Sequence, residues 1–236
     1  VIARTDSKSV GHRGLGFFLV PIDQPGVTVR PIEQLTGTSE FNEVFFTDVK
    51  VPVDQIVGKR GEGWAVANAT LTHERGMLGD PDAALSRLNA IAELMKTETI
   101  DGICLMDNPV YRDRLVDLQS QVYAMKFNGM RLTTAAANRE SAGMAGLIVK
   151  LQGCELNHQL AGLAIDVMGE YGVLYENSDF LRDKGMWQTY YMFDLGLIIG
   201  GGSAQIQKNI ISERGLKMPR EPKAASHNAS ATKAGA

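Results

Sequence analysis

The feature that most constrains what this chain can fold into is a change of hydrophobic period at Gly61-Glu62-Gly63. Before that point apolar residues alternate or cluster in short runs. After it they recur every three to four residues and continue to do so to about residue 214. A period of two places side chains on one face of a strand, and a period of roughly 3.6 places them on one stripe of a helix. The chain therefore reads as a short β part followed by a long helical part.

In the first part, residues 1–6 read as a strand entering a loop, and residues 15–20 (Leu-Gly-Phe-Phe-Leu-Val) as a compact strand stopped by Pro21. Residues 27–30 follow the Gln24-Pro25-Gly26 turn, and residues 43–51, rich in Val and Phe, read as a further strand ended by Pro52. Three or four such strands form a fragment of one sheet. In the second part, helices are expected at 63–78, 82–96, 109–139, 145–168, 185–198 and 203–214. Gly79-Asp80-Pro81, Asp107-Asn108-Pro109, the turn at 169–172 and Gly200-Gly201-Gly202 separate them. The predicted class is α+β, mostly α. A partial β-domain over 1–58 precedes an up-and-down four-helix-bundle domain over 59–218, and 219–236 has the composition of a flexible tail.

Composition narrows the function. With 24 Lys and Arg against 27 Asp and Glu, the net charge is -3, without the basic excess of a nucleic-acid-binding domain. No apolar run approaches the roughly 18 residues of a membrane span, and the first residues lack the build of a signal peptide, so a cytoplasmic location is expected. Cys104 and Cys154 are too few for a disulfide framework. His12, His73, His158 and His227 have no helical partner suited to a metal, so none is expected.

Three features carry chemistry. Ala67, Leu71, Glu74 and Leu78 follow i, i+4, i+7, i+11 spacing, which puts a carboxylate on an apolar stripe. Such a group either pairs locally or, desolvated, has its pKa raised and becomes a proton acceptor. Gly200-Gly201-Gly202-Ser203 joins two helices. It is either a plain turn or a place where backbone N–H groups face a ligand, with Ser203 as N-cap. Asp166-Val167-Met168-Gly169-Glu170 closes a long helix, with Gly169 suited to the left-handed residue of a C-cap.

Together these segments resemble the acyl-CoA dehydrogenase family of flavoproteins. Residues 31–59 look like the end of that family's middle β-domain, Gly61-Glu62-Gly63-Trp64 like the entry to its C-terminal helical domain, and residues 202–214 (Gly-Ser-Ala-Gln-Ile-Gln-Lys-Asn-Ile-Ile-Ser-Glu-Arg) like its closing signature. The resemblance implies FAD as cofactor, an acyl-CoA thioester as substrate and electron-transfer flavoprotein or a similar acceptor. It also implies a homo-oligomer built as a dimer of dimers. In most members the base is a glutamate two residues before the Ser or Thr of the closing signature, where this chain has Gly201. A minority, the isovaleryl-CoA type among them, place it on the first helix of the C-terminal domain before an arginine, where this chain has Glu74-Arg75.

By the same resemblance Thr72, Arg75 and Gly202 are substrate-side residues, Ser203 and Gln205 contact FAD, and Asp166, Gly169 and Glu170 touch the FAD of a neighbouring subunit. The family's Arg-x-x-Phe-Gly is absent, Ile103-Cys104-Leu105-Met106-Asp107-Asn108-Pro109 occupying that region, and Asp166 stands where a Gln is usual. No counterpart is found for the family's N-terminal helical domain or first β-strands, so the chain is expected to be about the C-terminal three-fifths of such an enzyme. The alternatives are a non-catalytic truncated paralogue acting as a binding subunit, and an acyl-CoA oxidase.

Overall fold

The computed structural model describes residues 1–141, 143–176, 178–220 and 222, and within 72–78 only the course of the backbone. The β part contains β1 (Ile2–Arg4), β2 (Leu15–Phe18), β3 (Val27–Ile32), β4 (Phe41–Phe46) and β5 (Ile56–Val57). These form two separate antiparallel ladders rather than the single sheet fragment expected. One has the order β1-β2-β5, with Ala3 opposite Gly16 and Phe17 opposite Val57. The other is the hairpin β3-β4, in register from Val27 opposite Phe46 to Ile32 opposite Phe41.

The strand expected over 43–51 is corrected to Phe41–Phe46. Beyond Phe46, the Thr47 N–H donates to the Gly26 carbonyl at 2.9 Å, and Asp48 turns the chain with a φ of 52°. A residue in the left-handed region cannot continue a strand.

The helical part contains α1 (Gly63–Leu78), α2 (Pro81–Thr97), α3 (Pro109–Ala137), α4 (Gly143–Met168), α5 (Met186–Ile199) and α6 (Ala204–Ile210). A π-helical turn, Ile211–Gly215, extends α6. Between α2 and α3 lies a two-strand hairpin that the sequence did not announce, β6 (Thr99–Ile100) with β7 (Ile103–Cys104). Asp80 caps α2 by accepting from the Asp82 N–H at 3.0 Å, and Asn108 caps α3 by accepting from Val110 at 3.0 Å. Each cap is followed by a proline whose missing N–H costs nothing in the first turn.

α2, α3, α4 and α5 form the bundle, and α4 packs against each of the other three. Ile91 and Met95 of α2, Val122 of α3, Leu160 and Leu163 of α4 and Trp187 of α5 are buried at its centre. The β part is seated on α1 by close approach. An ideal Cβ at Gly63 would lie 2.5 Å from the backbone of Gly16, so only glycine lets the first turn of α1 meet β2 there. The Trp64 indole also stacks on His12, with ring centroids 3.9 Å apart. The tip of the β3-β4 hairpin is tied down by the Tyr175 hydroxyl, which donates to the Thr36 carbonyl at 2.9 Å.

A buried ion pair crosses the bundle. Asp194 of α5 is fully buried and accepts from Arg87 of α2 at 2.6 Å, while Arg87 also donates to the Asn157 carbonyl of α4 and lies 4.0 Å from the Tyr190 ring centroid. Burial pushes the Asp194 carboxyl up, and the hydrogen bond and charge of Arg87, with His158, pull it down. Breaking one side of such a pair strands a charge in the core. Arg87→Met is expected to destabilise the fold by about 3–5 kcal/mol in denaturant unfolding. Arg87→Met with Asp194→Leu is expected to recover most of that loss. A double-variant loss equal to the sum of the Arg87→Met and Asp194→Leu losses would show that the pair is not coupled.

Candidate functional site

The glycine turn between α5 and α6 is held from below. Gly201 has a φ of 63° and Gly202 a φ of 108°. At the second, an ideal Cβ would come 2.7 Å from Nε2 of Gln207. Ser203 caps α6 as the sequence predicts, its Oγ accepting from the Ile206 N–H at 3.4 Å, and Gln205 is exposed on the first turn. Two buried side chains fix the carbonyls. Gln207 donates to Gly201 O at 3.1 Å, and Lys150 of α4 donates through Nζ to Ile198 O and to Gly202 O, both at 2.7 Å.

Neither Lys150 nor Gln207 was singled out from the sequence. The spacing that marked Glu74 also marks Lys150, since Lys150, Cys154, Asn157 and Ala161 follow i, i+4, i+7, i+11 on α4. All four are buried. Cys154 is a core thiol, pushed up mainly by burial although the charge of Lys150 opposes this. A raised thiol pKa disfavours the thiolate that a nucleophile requires.

At the other end of α4, Gly169 opens a 3-10 turn, Gly169–Val173, with a φ of 55°, and Glu170 beside it is exposed. Asp166 pairs with Arg114 of α3 at 2.7 Å, both side chains being about half exposed, so the charge is balanced with little effect on stability. The pair lies in a cleft of about 480 Å³ lined also by Asp113, Asp117, His158 and Tyr191. His158 rests against Tyr191, with ring centroids 4.6 Å apart.

With a helical rise of about 1.5 Å per residue, position 166 lies roughly 24 Å along α4 from position 150. One copy of the chain therefore does not bring Asp166, Gly169 and Glu170 together with Gly202, Ser203 and Gln205.

Thr72, Glu74 and Arg75 lie outside the described side chains. The helix that carries them, α1, packs on α4. Directly after α1, Gly79 and Pro81 line a cleft of about 620 Å³ together with Val149, Lys150 and Gln207. The C-terminal end of α1 and the glycine turn thus adjoin the same end of α4. The stripe predicted on α1 is buried at Ala67 and half-buried at Leu71.

A bundle whose first helix follows a β part, whose last helix is entered through a glycine turn, and whose central helix is buried on several sides defines a class. Residues 61–216 match the model of the acyl-CoA dehydrogenase C-terminal domain, and the chain belongs to the acyl-CoA dehydrogenase family. It is 41% identical over 225 residues to the acyl-CoA dehydrogenase IpdE1 of Mycolicibacterium smegmatis, covering 94% of this chain and 54% of that protein. IpdE1 of Mycobacterium tuberculosis is also 41% identical, over 94% of this chain and 56% of its own length. The chain thus spans about half the length of these relatives. In three dimensions it is similar to a chain of the ChsE4-ChsE5 complex from Mycobacterium tuberculosis, with a TM-score of 0.80, 26% identity and coverage of 94% and 57%. The mostly helical α+β class predicted from period agrees with this likeness.

The backbone at Gly202 yields a test of the turn. Gly202→Ala places a Cβ at a φ of 108° and against Gln207, and is expected to destabilise the fold by more than about 1 kcal/mol in denaturant unfolding. An unchanged unfolding midpoint would mean that the turn relaxes freely.

Proposed function

We propose that this chain carries the base and part of the ligand wall of an FAD-dependent acyl-CoA dehydrogenase that desaturates an acyl-CoA thioester between its α and β carbons. In this reading residues 1–58 are the end of the middle β-domain, 59–218 the helical domain and 219–236 a tail. One observation carries the reading. The helix bearing Glu74 adjoins the end of α4 that holds the glycine turn, and by the resemblance Gly201 stands where most of the family has its glutamate.

Glu74 removes the α-proton, and Thr72, Arg75 and Gly202 shape the substrate side. FAD, when bound, accepts the hydride that leaves the β-carbon. Ser203 and Gln205 contact the flavin nucleotide of the same copy, and Asp166, Gly169 and Glu170 that of a neighbouring copy. Two features of the chain fit this cofactor. Ser203 and Gln205 stand at the first turn of α6, with Gln205 exposed, and the negative charge of Asp166 is balanced by Arg114 before any pyrophosphate approaches. The separation of the two groups along α4 supports association of copies, and the dimer of dimers is what the resemblance implies. The acceptor implied by this reading is electron-transfer flavoprotein or a similar carrier.

Glu74→Gln in the full-length, flavin-loaded enzyme keeps the shape of the side chain but removes its basicity. Anaerobic flavin reduction by acyl-CoA is expected to slow by roughly 10²- to 10⁴-fold with acyl-CoA binding little changed. A wild-type rate would remove Glu74 from the mechanism.

A further inference from the structure

The side chain that organises the glycine turn is Lys150, and its position is unusual for a lysine. It is 3% exposed on the central helix of the bundle. Its ammonium spans the turn, joining Ile198 O, in the last turn of α5, to Gly202 O, four residues on. The last carbonyls of a helix lack intrahelical donors and carry partial negative charge, so a buried cation is well suited to hold them.

The consequence follows from peptide geometry. Every peptide bond described is trans, and in a trans peptide the C=O and the following N–H point in opposite directions. With Gly202 O drawn toward Lys150, the Ser203 N–H faces away from α4. With Gly201 O drawn toward Gln207, the Gly202 N–H faces away from that side chain. Among the described residues neither N–H has a hydrogen-bond partner. The buried donors therefore set which way the turn presents its backbone.

We propose that Lys150 is a positioning residue for the reaction: it touches neither substrate nor flavin, and acts by holding the Gly200–Ser203 backbone in the orientation that meets the acyl thioester and the flavin. This rests on the dehydrogenase reading, because that reading is what places a ligand against the turn. A turn displaced by about 1 Å loses on the order of 100-fold in rate when it orients reacting groups. A residue that only stabilised the bundle would lower the melting temperature and leave the rate per folded, flavin-loaded site intact.

The test uses the full-length, flavin-loaded enzyme with Lys150→Met, which keeps an unbranched apolar stem one atom shorter but removes every donor, and with Lys150→Arg, which restores donors in another geometry. In Lys150→Met the rate of anaerobic flavin reduction per bound flavin is expected to fall about 10- to 100-fold, with kcat falling more than KM rises. Lys150→Arg is expected to recover part of the rate. Amide hydrogen exchange over residues 198–207 is expected to quicken by at least about 10-fold in Lys150→Met, because the turn then opens locally.

A wild-type rate per flavin in Lys150→Met overturns the proposal, whatever happens to its melting temperature. A rate loss without faster exchange in the turn overturns it too. Should Lys150→Met fail to fold, Lys150→Gln, which keeps a donor, is expected to be intermediate in both readouts, and wild-type values in both overturn the proposal. If none of a series of acyl-CoA thioesters reduces the flavin of the wild-type enzyme, the dehydrogenase reading fails and the reaction-positioning role fails with it. The exchange comparison still shows separately whether Lys150 holds the turn.

Discussion

The rest of the molecule depends on α4 being enclosed. Helices pack against it from α1, α2, α3, α5 and α6, so a polar group on its inner positions has no access to water. An unpartnered polar group in that setting costs on the order of 1–3 kcal/mol. Several polar groups on and around α4 are met by specific neighbours, whereas Asn157 Oδ1 and His158 Nδ1 are buried without a hydrogen-bond partner among the described residues. Arg87 reaches the Asn157 carbonyl and the Asp194 carboxylate, Asn128 of α3 donates to the Ala145 carbonyl, and Lys150 takes the carbonyls of Ile198 and Gly202. Apolar packing alone permits helices to slide or rotate by small amounts. These directional contacts set how α2, α3 and α5 sit around the central helix.

That enclosure also divides the chemistry between two ends. At one end, the C-terminal part of α1 and the glycine turn approach Val149 and Lys150. At the other, Asp166 and Arg114 stand at the rim of a polar cleft near the Gly169 turn. A helix of 26 residues is too long for these groups to serve one ligand within one copy unless that ligand is extended. In the proposed dehydrogenase reading, association of copies would bring the two groups to a shared ligand.

Much of the helical part was legible because its boundaries are chemical. Asp80-Pro81 and Asn108-Pro109 place a capping side chain and a residue without an N–H at the first turn, and both helices begin there. The β part was less legible because its strands are short and their pairing is non-local. The departure at Asp48 depends on a backbone angle that Val-rich sequence does not reveal, and the pairing of Ile56 and Val57 with β2 spans nearly forty residues. Ser203 as a cap and the glycine turn were visible from residue type, whereas Lys150 was not singled out. Its role appears once α5 ends beside it. Glu74 was singled out by its place in a stripe and by the resemblance carried by Glu74-Arg75, and its side chain lies outside the described ones.

The most direct measurement is an isotope effect on the flavin itself. The wild-type full-length enzyme, loaded with FAD, is mixed anaerobically with a series of acyl-CoA thioesters, and the best of them is compared with its α-deuterated form. Bleaching of the flavin absorbance, slowed by α-deuteration with a primary isotope effect, is the expected result for a carboxylate that removes the α-proton as hydride leaves the β-carbon. A flavin that binds but is bleached by none of the thioesters would contradict the dehydrogenase assignment.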